Sequence, residues 1–545
     1  NAGLVVKSAA GSDESFIFGF GGDGGSFHNL AGGEVRGNAG TLNVTHGNLG
    51  TSTSDPAATW TADGGNVQLS GYGPWTGTFA GSSANGGFVT ITNNANLAVA
   101  NNFIVGTAGA TFDISGNGLR WSAATIDTTA ANLTTIDTME IVAGDVKTLA
   151  GGGELVNSST GTLTHTSGTV TFAASSLIRN QGMLTYSGGG TMGYNGTGSV
   201  VNDSGATAHL SGSGTLDLDA SAIFDNDGDF NWSGGANIDL STTNNTFQND
   251  GTLNYTNTST NTEISGAGEF LNNGTFNHTA SGGSDNVQTN GTVTFTNSST
   301  GIFDFAGGGD VRLQGTSVFN NAGLVVKSVT GSGEPTFHFG GSSDGGLFHN
   351  QAGGEVRSNA GTLNIATGGT SDPAATWTAD GGNIQLSGFN SWEGDFVGTA
   401  SGSNFVTIED NGNGTVADDF EVGAAGVTFS ITGNGLRWSD DDIDTNGNTV
   451  TNLGVLTVVS GQAKELKGGG EFVTGGGGVT TINSTLTATG GSTLRVASGG
   501  LLEGTGTFTG AVTADSGGTV APGLSPGILS VGDTTLSAGA NLDVE

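Results

Sequence analysis

The chain has no cysteine and only six prolines in 545 residues. Without cysteine there is no disulfide framework, no thiolate metal site and no cysteine nucleophile. No stretch approaches the roughly 18 consecutive apolar residues that mark a transmembrane helix. A long chain without these features must gain its stability from repeated packing of similar units.

Positive charge is also scarce. Lys and Arg total 12 against 48 Asp and Glu, giving a net charge of −36. Binding to nucleic acid or to anionic lipid needs clustered cations, and so few cations cannot form a basic stripe. Nucleic acid is therefore excluded as a partner, whereas an acidic surface can attract Ca²⁺.

Glycine is abundant instead, with 103 residues, but it lacks the G-X-Y period of collagen. Apolar residues alternate with small polar ones, and Gly and Asn mark corners, which indicates short β-strands joined by turns. Helix signals are weak because Gly, Asn, Thr and Ser dominate. The composition predicts an all-β fold.

A short repeat recurs at an interval of 23 residues, as in FDNDGDFNWS (224–233), FQNDGTLNYT (247–256) and FLNNGTFNHT (270–279). Columns of constant chemistry at one interval are typical of a solenoid, whose equivalent positions stack in successive coils. We predict a parallel β-helix, or β-solenoid, with coils of about 23 residues and two or three strands each. Alignment of five copies gives an apolar column of Ile178, Val201, Phe224, Phe247 and Phe270.

Two further columns have a structural explanation. An amide column predicts a hydrogen-bonded ladder at a corner, because a side-chain amide both donates and accepts along a stack. It comprises Asn180, Asp203, Asn226, Asn249 and Asn272. A glycine column two places later predicts turns with positive φ. It comprises Gly182, Gly205, Gly228, Gly251 and Gly274.

An aromatic column has two interpretations. It comprises Tyr186, His209, Trp232, Tyr255 and His278. If it faced solvent, Tyr186, Trp232 and Tyr255 would form a stacking platform for glycans. Interior packing is the favoured interpretation, because rings also stack well in a core and the column shares the parity of an inward apolar column.

A longer duplication returns residues 1–156 as 321–473, with AGGEVR, SDPAATWTADGGN, GNGLRWS and GGGE in both copies. We predict four parts of one continuous solenoid: a first module (1–156), regular coils (157–320), a second module (321–473) and terminal coils with an APGLSPG motif (474–545). The opening NAGLVVKS recurs at 321–328, so we expect the chain to be a segment of a longer protein.

These motifs resemble the passenger β-helices of bacterial autotransporters and filamentous-haemagglutinin-type adhesins. The resemblance is carried by FNNAGLVVKS (319–328), by NAGTLN (38–43 and 359–364) and by the tail GGTVAPGLSPGILSV (517–531). It implies a right-handed parallel β-helix in a secreted or cell-surface bacterial protein. It implies no single activity, because such passengers include adhesins, scaffolds and some enzymes.

Two motifs could hold ligands. SDDDIDTNGN (439–448) places oxygen ligands at alternate positions before a glycine, as in a Ca²⁺ loop, with Asp440, Asp442, Asp444 and Asn446 as candidates. The acidic residue expected at the twelfth place is missing, so a solvated acidic turn is favoured. In GNGLRWS, Arg120 and Arg437 could anchor an anion, but stacking on a neighbouring aromatic ring is favoured.

We predict a non-enzymatic, extracellular structural or adhesive protein, one section of a fibre, sheath or adhesin stalk. Its expected partners are further copies of itself, joined end to end or laterally, and surface glycans. No cofactor is expected, apart from Ca²⁺ at the candidate loop. The alternative is a polysaccharide-degrading enzyme or a glycan-binding module on the same scaffold. No acidic column persists through the coils to supply paired catalytic carboxylates, which favours the structural interpretation.

Overall fold

The structure, a computed structural model, describes the chain except for residues 12–13, 19–24, 47–49, 72, 94–101, 146, 257–260, 281–286, 330–335, 367, 389, 410–418, 524–526 and 545. Within strands, the side chains of Ser15, Phe18, His46 and residues 336–344 are also outside the description. The centre of the predicted APGLSPG motif, residues 524–526, therefore lies outside the described residues.

The chain divides into two compact units. The first comprises Asn1–Thr256 and Glu263–Glu269, and the second comprises Asn257–Thr262 and Phe270–Glu545. Each unit is a parallel β-solenoid, which confirms the predicted fold class, and about 20 turns of roughly 23 residues are present in total. The described parts of the chain contain no α-helix, and hence none that is long and apolar enough to cross a membrane. The four sequence modules stay a prediction.

The described residues form 65 strands. Up to residue 157 these are Leu4–Lys7, Glu14–Phe18, His28–Asn29, Glu34–Gly37, Gly40–His46, Ser52–Ser54, Thr59–Asp63, Gly65–Gly71, Pro74–Ala84, Val89–Ile91, Asn102–Gly116, Leu119–Trp121, Ala124–Asp127, Leu133–Thr135, Thr138–Ile141, Lys147–Ala150 and Glu154–Asn157. The regular coils contain Thr162–His165, Gly168–Phe172, Leu177–Asn180, Met183–Tyr186, Thr191–Gly196, Ser199–Asn202, Thr207–Leu210, Thr215–Asp219, Ile223–Asn226, Asp229–Trp232, Asn237–Leu240, Thr246–Asn249, Thr252–Tyr255, Thr262–Gly266, Glu269–Asn272, Thr275–His278, Val287–Gly291, Thr294–Asn297, Ile302–Phe305, Val311–Gly315 and Val318–Asn321.

The remaining strands belong to the second copy of the duplication and to the terminal coils. They are Leu324–Lys327, Thr336–Asp344, Leu347–Asn350, Glu355–Ser358, Gly361–Ala366, Gly369–Ser371, Thr376–Ala379, Gly382–Ser387, Ser391–Ala400, Val406–Ile408, Phe420–Gly433, Leu436–Trp438, Ile443–Asp444, Thr449–Asn452, Val455–Val458, Lys464–Lys467, Glu471–Thr474, Val479–Ile482, Thr485–Ala488, Thr493–Val496, Leu501–Gly504, Thr507–Phe508, Ala511–Ala514, Thr519–Pro522, Ser530–Val531, Thr534–Leu536 and Asn541–Leu542.

A regular coil consists of three short strands, and each strand pairs in parallel with the equivalent strand of the next coil. Leu177–Asn180 pairs with Ser199–Asn202, and Met183–Tyr186 pairs with Thr207–Leu210. Along each strand, alternate side chains point inward, so Ile178 and Asn180 are buried while Arg179 is half-buried at the surface. Stacking of successive coils thus forms a continuous interior within each unit.

Coil length varies around the average, and this overturns part of the predicted columns. Asn180 pairs with Asn202 and Asn202 pairs with Asn226, so two successive coils advance by 22 and 24 residues. The prediction of Val201 as a member of the apolar column, which assumed a constant interval of 23, is therefore wrong by one residue. The inward residue is Val200, which is fully buried. A one-residue shift in a strand moves a side chain to the opposite face.

The glycine column has a different cause from the predicted one. Gly205 has a positive φ of 85°, but Gly182 and Gly228 are not among the positive-φ glycines. A Cβ on Gly182 would instead overlap the carbonyl oxygens of Ser158 and Gly161 on the preceding coil. Close approach of two backbones, rather than a left-handed turn, therefore requires glycine there.

Candidate functional site

The most regular polar feature of the interior is a ladder of asparagine side chains. In the first unit, four successive Nδ2-to-Oδ1 hydrogen bonds of 2.7 Å link Asn157, Asn180, Asn202, Asn226 and Asn249. In the second unit, bonds of 2.8, 2.8 and 2.9 Å link Asn272, Asn297, Asn321 and Asn350. All nine side chains are fully buried. Each of these asparagines is the last residue of its strand, just before a corner, which keeps the ladder aligned with the coil axis.

Each amide in the ladder also bonds to the backbone. The Nδ2 atom of Asn180 donates to the carbonyl oxygens of Gly182 at 3.2 Å and Thr207 at 3.1 Å. Asn226 repeats this pattern with Gly228 at 3.1 Å and Thr252 at 3.3 Å. Both amide protons thus have acceptors, which a buried polar group requires because desolvation is otherwise uncompensated. The ladder fixes the corner of one coil against the next.

The prediction that Asp203 belongs to the ladder is wrong. The ladder passes through Asn202, and Asp203 lies one residue further on, where its Oδ1 atom accepts a 2.7 Å bond from Arg179. The physical reason is the 22-residue coil between Asn180 and Asn202, since a fixed interval cannot follow coils of unequal length. A carboxylate could not replace the amide here, because an ionised carboxylate only accepts hydrogen bonds.

The aromatic column lies inside the solenoid, so the glycan platform of Tyr186, Trp232 and Tyr255 is wrong. All three side chains are fully buried. Trp232 packs edge-on to Tyr255 with ring centroids 5.1 Å apart, and its Nε1 donates to the carbonyl oxygen of Ala236 at 2.8 Å. His209 is half-buried outside this column, and Leu210 pairs with Trp232 in its place. Buried rings with satisfied polar atoms contribute packing and leave no surface for a sugar.

A buried polar cluster surrounds the first ring of this column. The hydroxyl groups of Tyr186 and Tyr194 lie 3.1 Å apart, and Nδ1 of His165 lies 3.1 Å from the Tyr194 hydroxyl. Burial raises the pKa of both tyrosines above the ordinary value. Burial lowers the pKa of His165 to about 4, so the ring is neutral near pH 7. This cluster is closed to solvent, and its hydrogen bonds hold neighbouring coils together.

A group of outward acids was missed by sequence reasoning. Asp225, Asp227 and Asp250 bring carboxylate oxygens within 4.8 Å of one another. Burial, followed by the charges of Asp227, Asp250 and Asp203, raises the pKa of Asp225 to about 6. Such a group can share a proton or face a divalent cation. The signal was available, because the repeated stretches FDNDG and FQNDG place acids on outward positions of adjacent coils.

The predicted calcium loop does not form a ligand cluster. Among the described residues, its three carboxylates do not gather within 4.8 Å. Asp440 Oδ1 accepts from the Asp441 amide at 2.9 Å, and Asp444 Oδ1 accepts from the Asn446 amide at 2.9 Å. Asp442 instead bonds to Lys467 at 3.3 Å. Local turns and a strand at Ile443–Asp444 use these oxygens separately, and Ca²⁺ binding by this loop stays a prediction.

The two arginines of GNGLRWS stack on phenylalanine, as the favoured interpretation expected. The Arg120 guanidinium carbon lies 5.0 Å from the centroid of Phe88, and that of Arg437 lies 5.4 Å from the centroid of Phe405. The neighbouring Trp121 is fully buried, and its Nε1 donates to the carbonyl oxygen of Ala124 at 3.2 Å. Arginine thus covers the rim of each coil while tryptophan fills its interior.

No protein-family model and no curated protein matches the chain. A solved structure that is similar to this chain is the TibC-catalysed hyper-glycosylated TibA55-350 fragment, with 12% identity, 76% of this chain and 91% of that chain covered, and a TM-score of 0.17. At that score the similarity carries no argument about activity.

Proposed function

We propose that the chain is a non-enzymatic structural or adhesive β-solenoid, a section of an extracellular surface fibre, sheath or stalk. The observation that supports this most is the asparagine ladder. It uses one fully buried residue of each coil for cohesion between coils. The rings of Tyr186, Trp232 and Tyr255, which a binding surface would expose, are also buried in the interior. The resemblance to autotransporter and haemagglutinin-type passengers agrees with secretion.

The proposed mechanism is mechanical. Parallel backbone pairing resists separation of neighbouring coils, and the amide ladder adds one side-chain hydrogen bond at each step. In the first unit, stacked rings add further contacts, such as Phe224 and Phe247, whose planes differ by 3° at 5.0 Å. Stability in such an array is a sum over neighbouring repeats, so length increases it without a larger core.

Self-association is part of this proposal. The outermost coil of a solenoid has no neighbour on one side, so its strands expose N–H and C=O groups that can pair with another chain. Sedimentation velocity of the intact chain across a wide concentration range is expected to show growing assemblies. Purely monomeric behaviour would reject end-to-end assembly.

The test of the structural role itself is single-molecule stretching of the intact chain. We expect successive unfolding steps, each releasing one or a few coils, at forces that fall when Asn226 is replaced by alanine. Asn231→Ala is the matched control, because Asn231 faces outward in the same coil and accepts one 3.1 Å bond from Asn254. Equal forces for both variants would contradict the role of the ladder. Turnover of any acidic or neutral polysaccharide by the intact chain would contradict the non-enzymatic assignment.

A further inference from the structure

Arg437 differs from its counterpart in the first copy of the duplication because no acidic residue stands opposite it on the paired strand. In the first copy, Arg120 lies beside Glu140 on the paired strand, with Nε and Oε2 3.9 Å apart. In the second copy, the residue paired with Arg437 is Thr457. Among the described residues, Arg437 has no carboxylate within 4.0 Å, and its Nε atom, like that of Arg120, is buried without a hydrogen-bond partner. In a chain with only 12 cations, this leaves a rare guanidinium without an ion pair.

A cavity opens beside this arginine. Its volume is about 320 Å³, within the range of roughly 300–1,000 Å³ typical of small-molecule sites. Arg437 and Phe405 contribute to its lining, together with Asn383, Ser460, Gln462 and the acids Glu409 and Asp440. The lining therefore combines one unpaired guanidinium, an aromatic ring, two amides, four hydroxyl groups and two carboxylates.

The walls of the cavity are held in place by buried groups. Lys464 is fully buried, and its Nζ donates to the carbonyl oxygens of Val459 and Gln462 at 2.9 Å each, which fixes one wall. On the other side, Trp438 Nε1 donates to the carbonyl oxygen of Asp441 at 2.8 Å. A site whose supporting groups are locked loses less conformational freedom when it binds a ligand.

The acids stand at different positions in the two copies. The offset of 317 residues that relates Glu140 to Thr457 also relates Ala143 to Ser460 and Asp145 to Gln462. The second copy thus exchanges an aliphatic residue for a hydroxyl and two acids for neutral polar residues around the arginine. It gains two carboxylates further along the wall, because Glu409 and Asp440 stand in the positions of Thr92 and Ala123.

We propose that this cavity binds a hexuronate, that is, a sugar ring carrying a carboxylate. The carboxylate would pair with the Arg437 guanidinium, whose fork of N–H donors matches two carboxylate oxygens. Ring hydroxyl groups would donate to Glu409 and Asp440 and accept from the amides of Asn383 and Gln462. A sulfate offers no donors to the two acids and a doubly charged phosphate offers only one, whereas a hexuronate meets every type of polar group in the lining. This inference does not depend on the proposed structural role.

The test is calorimetric titration of the intact chain with glucuronate, galacturonate and their tetramers, with glucose and galactose as neutral analogues. We expect a uronate to bind and the neutral sugars to bind at least about tenfold more weakly, because they lack the carboxylate that forms charged hydrogen bonds with Arg437. Arg437→Gln should lower affinity for the uronate by about tenfold or more for the same reason.

Two further variants separate binding from folding. Thr457→Glu places a carboxylate where Glu140 stands in the first copy, so it should compete with the ligand and lower affinity without removing any lining residue. Arg120→Gln is the matched control in the first copy and should leave uronate affinity unchanged. The proposal is overturned if no uronate binds, if neutral sugars bind equally well, if Thr457→Glu has no effect, or if Arg120→Gln weakens binding as much as Arg437→Gln.

Discussion

Replacement of Asn226 by alanine is expected to weaken the solenoid at one coil. The side chain accepts a 2.7 Å bond from Asn202 and donates a 2.7 Å bond to Asn249, and it also donates to the carbonyl oxygens of Gly228 and Thr252. Alanine removes all four bonds at a fully buried position. Water cannot replace them without opening the corner.

The magnitude follows from the groups that lose a partner. Asn202 Nδ2 keeps the carbonyl oxygen of Asp229 at 3.1 Å, so its loss is partial. The Asn249 Oδ1 atom and the Thr252 carbonyl oxygen each lose this donor. A buried polar group deprived of its partner costs about 1–3 kcal/mol, so we expect a total of about 2–5 kcal/mol.

Amide hydrogen exchange is the appropriate assay, because a repeat protein opens locally and a single unfolding free energy does not describe it. The opening free energy of the strands Ile223–Asn226 and Thr246–Asn249 should fall by that amount, while distant coils should change little. Asn231→Ala, the outward control, should lower it by less than about 1 kcal/mol. A loss below about 0.5 kcal/mol for Asn226→Ala, or equal losses for the two variants, would refute the reasoning.

Four other outcomes are expected. Trp232→Ala should destabilise its coil by about 3–5 kcal/mol, because a fully buried ring leaves a cavity; exchange protection that stays at the wild-type level would contradict interior packing. Burial and neighbouring acids raise the pKa of Asp225 to about 6, so its protonated form is favoured in the folded state. Ionisation of Asp225 therefore lowers the stability of the folded state as pH rises through 6. Asp225→Asn should raise the melting temperature at pH 7.5 but not at pH 4. Burial lowers the pKa of His165 to about 4, so its effect on stability is opposite to that of Asp225: the coil should lose stability as pH falls from about 6.5 towards 4. The NMR signals of the histidine ring should titrate over the same pH range as this loss. Asp444→Asn should leave any effect of Ca²⁺ or of a chelator on the melting temperature unchanged, because that carboxylate bonds to the Asn446 amide. If the variant no longer responded to Ca²⁺, the result would support the predicted Ca²⁺ loop.

Regular coils with clear chemical columns could be read from the sequence. The interval between Phe224, Phe247 and Phe270 indicated stacked coils, and Asn226 and Asn249 indicated the amide ladder. Both follow from local patterning, since alternation of apolar and polar residues determines which face is inward. The same patterning indicated that Trp232 belongs to the interior, because it shares the parity of its apolar neighbour Phe230.

The errors arose where coil length or three-dimensional proximity mattered. Asp203 was placed in the ladder because a constant interval hides a 22-residue coil that is followed by a 24-residue coil. The candidate Ca²⁺ ligands around Asp442 do not form one cluster, for a different reason. Spacing along the chain cannot show that Lys467, 25 residues away, takes this carboxylate.

The all-β class, the average coil length and the chemistry of the interior follow from residue patterns that repeat within a few positions, so they are apparent in the amino-acid sequence. The register of each coil, the convergence of Asp225, Asp227 and Asp250, and the position of Arg437 beside a cavity without an ion pair are apparent only in three dimensions. These features depend on which side chains meet across coils. A single inserted or deleted residue changes which side chains contact each other across coils, although it leaves the local residue pattern almost unaltered.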